Sequence, residues 1–310
     1  MEKKILIAVD DSRHSENALR YAASLRETVN DSKLVLFHVQ PTVSQYLLDE
    51  ARAKPGANAQ LKKLMHKNDQ SAQALLEKYK ALLMSRSVPD GDIELLTLPR
   101  KSGAAKDILE YSAAKQVDAI LLGRRGLSGL AETFIGSVSA NVVDNSPFIP
   151  VWLVDEKNTS NAVMVAVDGS ESSLRAVDHL AFILGGNTDV KLSFFHVAPR
   201  LKDYCPIDFA DADSAELETI IREGDQACVD RFFAHARKKL ADSGFHDSQI
   251  DIHVKEGGFR VGKAVLEAYR QGKYGTLVIG RRGMDKKFFT GSVSRYLINQ
   301  FSNGALWVVP

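Results

Sequence analysis

Cysteine is nearly absent: Cys205 and Cys228 are the only two in 310 residues. They lack metal-ligand spacing, and two thiols in so long a chain do not suggest a disulfide framework. This usage reads as reduced thiols in a cytoplasmic protein. An excess of either charge is missing too. With 40 Lys and Arg against 39 Asp and Glu, the formal net charge is +1, which gives no argument for nucleic acid or an anionic membrane surface as partner. No apolar run approaches the ~18 residues a spanning helix needs, so no membrane partner is expected. Met1-Glu-Lys-Lys leads directly into a strand-like segment, without the apolar core of a secretory leader. HExxH, CxxC, GxSxG and paired-carboxylate arrangements are also missing, so no assembled metal or triad chemistry is read.

What is present is a duplication. Lys4-Ile-Leu-Ile-Ala-Val9 ends in Asp10-Asp-Ser, and Ala162-Val-Met-Val-Ala-Val167 ends in Asp168-Gly-Ser. Leu34 to Val39 and Leu192 to Val197 both close on Phe-His-Val. Asp10 and Asp168, like His38 and His196, stand 158 residues apart, a constant offset that marks an internal repeat. Helical spacing follows each first strand, at Ala18, Tyr21, Ala22, Leu25 and at Ala176, Leu180, Ala181, Leu184. Long amphipathic stretches follow each second strand, Leu61 to about Ser87 and Glu216 to about Gly244. The segments before them, Gln40 to Gln60 and Ala198 to Ser214, read as loops or short helical pieces. Further strands are expected at 92–97 and 249–254, helices at 105–114 and 261–270, and closing strands at 149–154 and 305–309.

Each half therefore reads β-α-β-α-β-α-β-α-β. Apolar strands alternating with amphipathic helices argue for a doubly wound α/β fold, a five-stranded parallel sheet in each half. The domains are set at 1–155 and 161–310, joined by the polar stretch Asp155 to Asn161. In such sheets ligands bind at the carboxyl ends of the strands, where strand order reverses. That rule gathers Asp10, Val39 and Gly123 onto one edge.

The stretch with the clearest chemistry follows the apolar run Ala119 to Leu122. It is Gly123-Arg-Arg-Gly126, nine residues, then Gly136-Ser-Val-Ser139. A glycine pair closing a strand frees the backbone to turn, and the helix opening after the second motif offers unpaired N–H groups to an anion. The late copy, Gly280-Arg-Arg-Gly283, is followed by seven residues and then Gly291-Ser-Val-Ser294. Simpler readings stand beside this one. Asp10 and Asp168 are also good helix caps, Ser137 and Ser292 good N-caps, and His38 and His196 read as satisfied sheet-end histidines. Gly257 to Lys263 fits the first seven positions of a P-loop, but Ala264 replaces the Ser or Thr that would hold Mg²⁺.

These residues resemble the universal stress protein family in its tandem two-domain form, whose ATP-binding members carry Gly-x-x-Gly, nine residues, Gly-Ser/Thr. The resemblance implies Rossmann-like domains of the adenine nucleotide alpha hydrolase type. It implies that Asp10 and Val39 flank adenine and ribose, with Ala8 and Val9 supplying backbone contacts. Gly123, Arg125 and Gly126 would line ribose and phosphates, and Gly136, Ser137, Val138 and Ser139 would hold the phosphates with amides and hydroxyls. In the second half Ala166, Val167, Asp168, Val197, Gly280, Arg282, Gly283, Gly291, Ser292, Val293 and Ser294 correspond. The loop Met284 to Thr290 there is two residues short of the family spacing, although Lys286 and Lys287 add cationic character. The implied ligand is ATP, ADP or AMP, with any Mg²⁺ arriving on the nucleotide. The implied role is a stress-response regulator with at most weak ATP hydrolysis; a slow nucleotidyl-transferring enzyme and a nucleotide-free scaffold are the alternatives. The family dimerises through its last strand, which implies an intrachain pseudo-dimer and admits a homodimer.

Overall fold

Strands form where apolar residues run without interruption, because both faces of the sheet are covered by helices. The computed structural model describes residues 2–29, 31–125, 135–155, 160–198, 200, 212–257, 260–281 and 291–310. The chain divides into two units, Met1–Asp155 and Glu156–Pro310.

In the first unit β1 (Lys3–Ala8), β2 (Ser32–Val39), β3 (Ile93–Leu98), β4 (Ala119–Gly123) and β5 (Val151–Val154) lie in the order β3-β2-β1-β4-β5. All four pairings are parallel. Between them run α1 (Arg13–Arg26), α2 (Gln45–Ala53), α3 (Pro55–Met84), α4 (Ala104–Ala114) and α5 (Ser137–Asn145). The second unit repeats the plan with β6 (Ala162–Val167), β7 (Lys191–Ala198), β8 (Ile250–Glu256), β9 (Thr276–Gly280) and β10 (Ala305–Val309), ordered β8-β7-β6-β9-β10. Its described helices are α6 (Glu171–Leu184), α7 (Ala212–Asp242), α8 (Val261–Gln271) and α9 (Ser292–Gln300).

The expected doubly wound fold is present in each unit, with the element order read from the sequence. The core follows the apolar runs: Leu6, Ile7, Leu121, Trp152 and Trp307 have no exposed surface. Helix α1 buries Ala18, Leu19, Ala22 and Ala23 on one stripe and is capped by Ser12, whose hydroxyl accepts from the Ser15 amide. One boundary needs correction. The segment before Leu61, read as loops or short helical pieces, holds α2, and the long helix starts earlier than Leu61, since α2 ends and α3 begins on either side of Lys54, with Pro55 in the first turn where its missing N–H has no cost. Only the carboxyl-terminal half of α3 is buried, through Ala72, Leu76, Tyr79 and Leu83, while Leu64 is exposed. The strand order reverses between β1 and β4, and their carboxyl ends meet in register at Ala8 and Leu122, with Phe37 opposite Ala8 on β2.

Candidate functional site

At that reversal lies a cleft of about 230 Å³ in the first unit. Ala8, Val9 and Asp10 enter it from the end of β1, and Phe37, His38 and Val39 from β2. Leu122, Gly123 and Arg125 come from β4 and its exit, and Gly136, Ser137, Val138 and Ser139 from the start of α5. Every site residue expected in the first unit thus lines one cavity, except Gly126, which lies outside the described residues. Sequence reasoning missed Ser15, Ala104 and Ile108, which also line it. The last two sit on α4, which the sequence marks as a helix from about residue 105 without saying what it meets.

Asp10 serves the turn as well as the cavity wall. Its Oδ1 accepts from the hydroxyls of Ser12 and of Ser15, the latter at 2.7 Å, while its own amide donates to Ser15 Oγ at 2.9 Å. Its carbonyl accepts from the Tyr79 hydroxyl at 2.8 Å. Burial, with the carboxylates of Asp11, Glu16 and Asp10 nearby, holds the Tyr79 phenol far above its ordinary range, so it remains a donor. His38 Nδ1 donates to the Val9 carbonyl at 2.8 Å, tying β2 to the end of β1. This is the satisfied sheet-end histidine read from the sequence.

The glycine motif works differently from the first reading. Gly123 is not among the residues with positive φ. A Cβ there would lie 2.7 Å from His14 Cβ and 2.9 Å from the His14 carbonyl oxygen, so glycine is required by the close approach of α1. Gly280 repeats this against the Ser172 carbonyl oxygen at 2.5 Å. The N-cap of α5 is Gly136, and Ser137 is the first helical residue; likewise Gly291 caps α9 and Ser292 follows. The serines lie one position too late to cap because the chain enters each helix in extended conformation at the glycine. The Gly136 amide donates to the Arg124 carbonyl at 2.8 Å, and the Ser139 hydroxyl to the Gly123 carbonyl at 2.8 Å. These bonds close the neck of the glycine loop. No side chain caps α5, and its first helical backbone bond runs from the Ala140 amide to the Gly136 carbonyl. The Ser137 and Val138 amides thus precede the first helical bond, at the positive end of the helix, and both residues line the cavity.

Of the two arginines, Arg124 turns inward with 1% of its side chain exposed, and Arg125 stays at the cavity. Asp155, just past β5 and 2% exposed, lies between them: Arg124 Nη1 is 3.9 Å from Oδ2, and Arg125 Nη2 is 3.3 Å from Oδ1. Burial pulls the Arg124 guanidinium below its ordinary range; Asp155 opposes this and Arg125 adds to it.

The second unit builds a smaller cavity of about 130 Å³ at the corresponding edge. Ala166, Val167, Asp168 and Val197 line it, with Gly280, Gly291, Ser292, Val293 and Ser294. Ser294 donates to the Gly280 carbonyl at 3.0 Å, as Ser139 does to Gly123. Val261, the first residue of α8, lines it as Ala104, the first residue of α4, lines the other. His196 Nδ1 donates to the Val167 carbonyl at 3.0 Å, and its Nε2 lies 3.0 Å from Asp225 Oδ2. Arg282, Gly283 and the loop from Met284 to Thr290, with Lys286 and Lys287, lie outside the described residues, as does Cys205. The P-loop-like stretch opens α8 at Val261 with Arg260 as its cap residue, and Lys263 pairs with Glu267 at 3.6 Å; Gly258 and Phe259 are not described. Among the described residues no three His, Cys, Asp or Glu side chains cluster to hold a metal, and no helix is long and apolar enough to cross a membrane.

The sequence profile of the Universal stress protein family matches the chain twice, over residues 1–155 and 160–310. The chain belongs to the universal stress protein family. Its two Usp domains are the two folded units described above, the second match beginning a few residues into its unit. A universal stress protein of Mycolicibacterium smegmatis is 25% identical over 211 residues, 66% of this chain and 67% of that protein. One from Thermus aquaticus is 30% identical over 155 residues, 50% of this chain and 99% of its own length. The crystal structure of a universal stress protein from Archaeoglobus fulgidus superposes with a TM-score of 0.66 at 18% identity, covering 99% of this chain and 97% of that one. That likeness is one of fold, and it extends over both domains.

Proposed function

We propose that the first Usp domain binds ATP or a related adenine nucleotide, and that the protein is a cytoplasmic stress-response regulator whose state follows that nucleotide. The observation that carries the reading is that one cavity is lined by two chemistries. Ala8, Phe37, Val39, Ile108 and Leu122 supply apolar lining suited to a planar base. The uncapped start of α5, with Ser137 and Val138, and Arg125 supply a setting for phosphates. The glycine spacing of the family's ATP-binding members is complete here, which adds support from the resemblance. Ser139 acts by holding α5 to β4, and Asp10 shapes the turn at the ribose side. Asp10 is the one acidic side chain among the described residues lining the cavity. A bound cation would therefore be carried chiefly by the phosphates, and binding with little turnover is the role proposed.

The test is calorimetric titration of ATP into the full chain and its Gly136→Glu variant. Gly136 has φ −63° and ψ 147°, a conformation open to any residue, so the variant is expected to fold. The glutamate adds an anion where phosphates would sit, and binding should fall at least about tenfold, the loss of one charge-assisted interaction. Equal ATP affinity in the two proteins would overturn the site.

A further inference from the structure

We infer that Asp155 sets how strongly the first cavity favours nucleotides of higher phosphate charge, because it holds the guanidinium of Arg125 in a pair with which a bound phosphate must compete. This rests on the nucleotide reading above. Arg125 lines the cavity, and its Nη2 lies 3.3 Å from Oδ1 and 3.4 Å from Oδ2 of Asp155. These separations are longer than the about 2.7–2.9 Å of a well-formed guanidinium–carboxylate fork. Asp155 is 2% exposed, yet its Oδ1 accepts no hydrogen bond of good geometry from the described residues. The Arg125–Asp155 pair is thus loosely made, and its guanidinium stands at the cavity that a phosphate would enter. The Asp155 charge would compete with that phosphate for the same guanidinium. An uncharged nucleoside would feel none of this. The arrangement belongs to the first domain alone among described positions: Pro310 follows β10 where Asp155 follows β5.

The experiment measures affinities of adenosine, AMP, ADP and ATP for the full chain at one ionic strength. The proteins are wild type, Asp155→Asn, Arg125→Gln and the double variant. Asp155→Asn keeps the shape and removes the charge; it should raise ATP affinity about tenfold, AMP affinity less, and leave adenosine unchanged. Arg125→Gln should weaken binding in the order ATP, ADP, AMP, spare adenosine, and cancel the effect of Asp155→Asn in the double variant. A uniform shift across all four ligands, or an Asp155→Asn effect that persists without Arg125, would overturn the inference while leaving the nucleotide site standing. So would a fall in ATP affinity in Asp155→Asn. If wild type binds none of the four, the nucleotide reading itself fails and this falls with it. Should Asp155→Asn not fold, the graded loss in Arg125→Gln decides, and a loss equal for ATP and adenosine overturns the inference.

Discussion

Gly123 shows how a residue can sit in a binding motif for a reason that the motif conceals. Its missing Cβ makes room for His14, at the start of α1, and a methyl group would come within 2.7–2.9 Å of that residue's Cβ and backbone. Backbone cannot swing aside as a flexible side chain can, so Gly123→Ala must displace the first turn of α1. The expected loss is about 1–3 kcal/mol in urea unfolding, the usual cost of overpacking; an unchanged midpoint and slope would contradict the packing argument. Tyr79 makes a second case. Its side chain is fully buried and its hydroxyl holds the Asp10 carbonyl. Tyr79→Phe leaves that carbonyl without this donor and should cost about 1 kcal/mol, read as a lower thermal midpoint with the helical circular dichroism signal retained. The sequence displayed Gly123 by its repeat and by its place after an apolar run. It could not display His14 as the neighbour, because that contact exists only once α1 has packed on β4. The same holds for Arg124 and Arg125: the sequence shows them adjacent, and only the fold shows Asp155 between them.

Elements rather than single residues decide the shape of the cavity mouth. In the first domain the loop before α4 is held by Asp107, 7% exposed, whose two carboxylate oxygens accept from the amides of Lys101 and Ser102, each at 3.0 Å. Ala104 and Ile108 of the same helix line the cavity, so Asp107 positions part of its apolar wall. Asp107→Ala removes both acceptors and should destabilise the protein by about 1–3 kcal/mol, the penalty for leaving partly buried amides unmatched. In addition, a nucleotide that uses this wall should bind more weakly in the variant, in proportion for adenosine and ATP alike. A loss confined to ATP would show that α4 does not meet the base. Strands and helices were legible in the sequence because runs and periods report burial directly. The α2–α3 junction was not, since Pro55 and Gly56 carry turn signals that a helix start also tolerates.

At the scale of the whole molecule, duplication gave two domains with one strand order and unequal cavities, about 230 and 130 Å³. The repeat was legible because its landmarks keep a fixed offset along the chain. The difference in volume was not, since which residues of each half stand at a cavity wall, Ala104 and Val261 among them, shows only in the fold. Added side-chain volume in a preformed pocket excludes ligand by steric overlap, and packed walls yield little. Unequal occupancy is therefore expected: the full chain should bind about one ATP, at the first domain, before any second site fills. A ligand that binds only the folded state raises its stability by RT ln(1 + [L]/Kd), so saturating ATP at about 100 times Kd should add about 2.7 kcal/mol. This gain should vanish in Gly136→Glu and persist in Gly291→Glu, which places the same charge at the matching cap of α9. Two equal sites in calorimetry would assign binding to both domains, and loss of the stabilisation in Gly291→Glu alone would assign it to the second; either would refute the asymmetry drawn from the cavities.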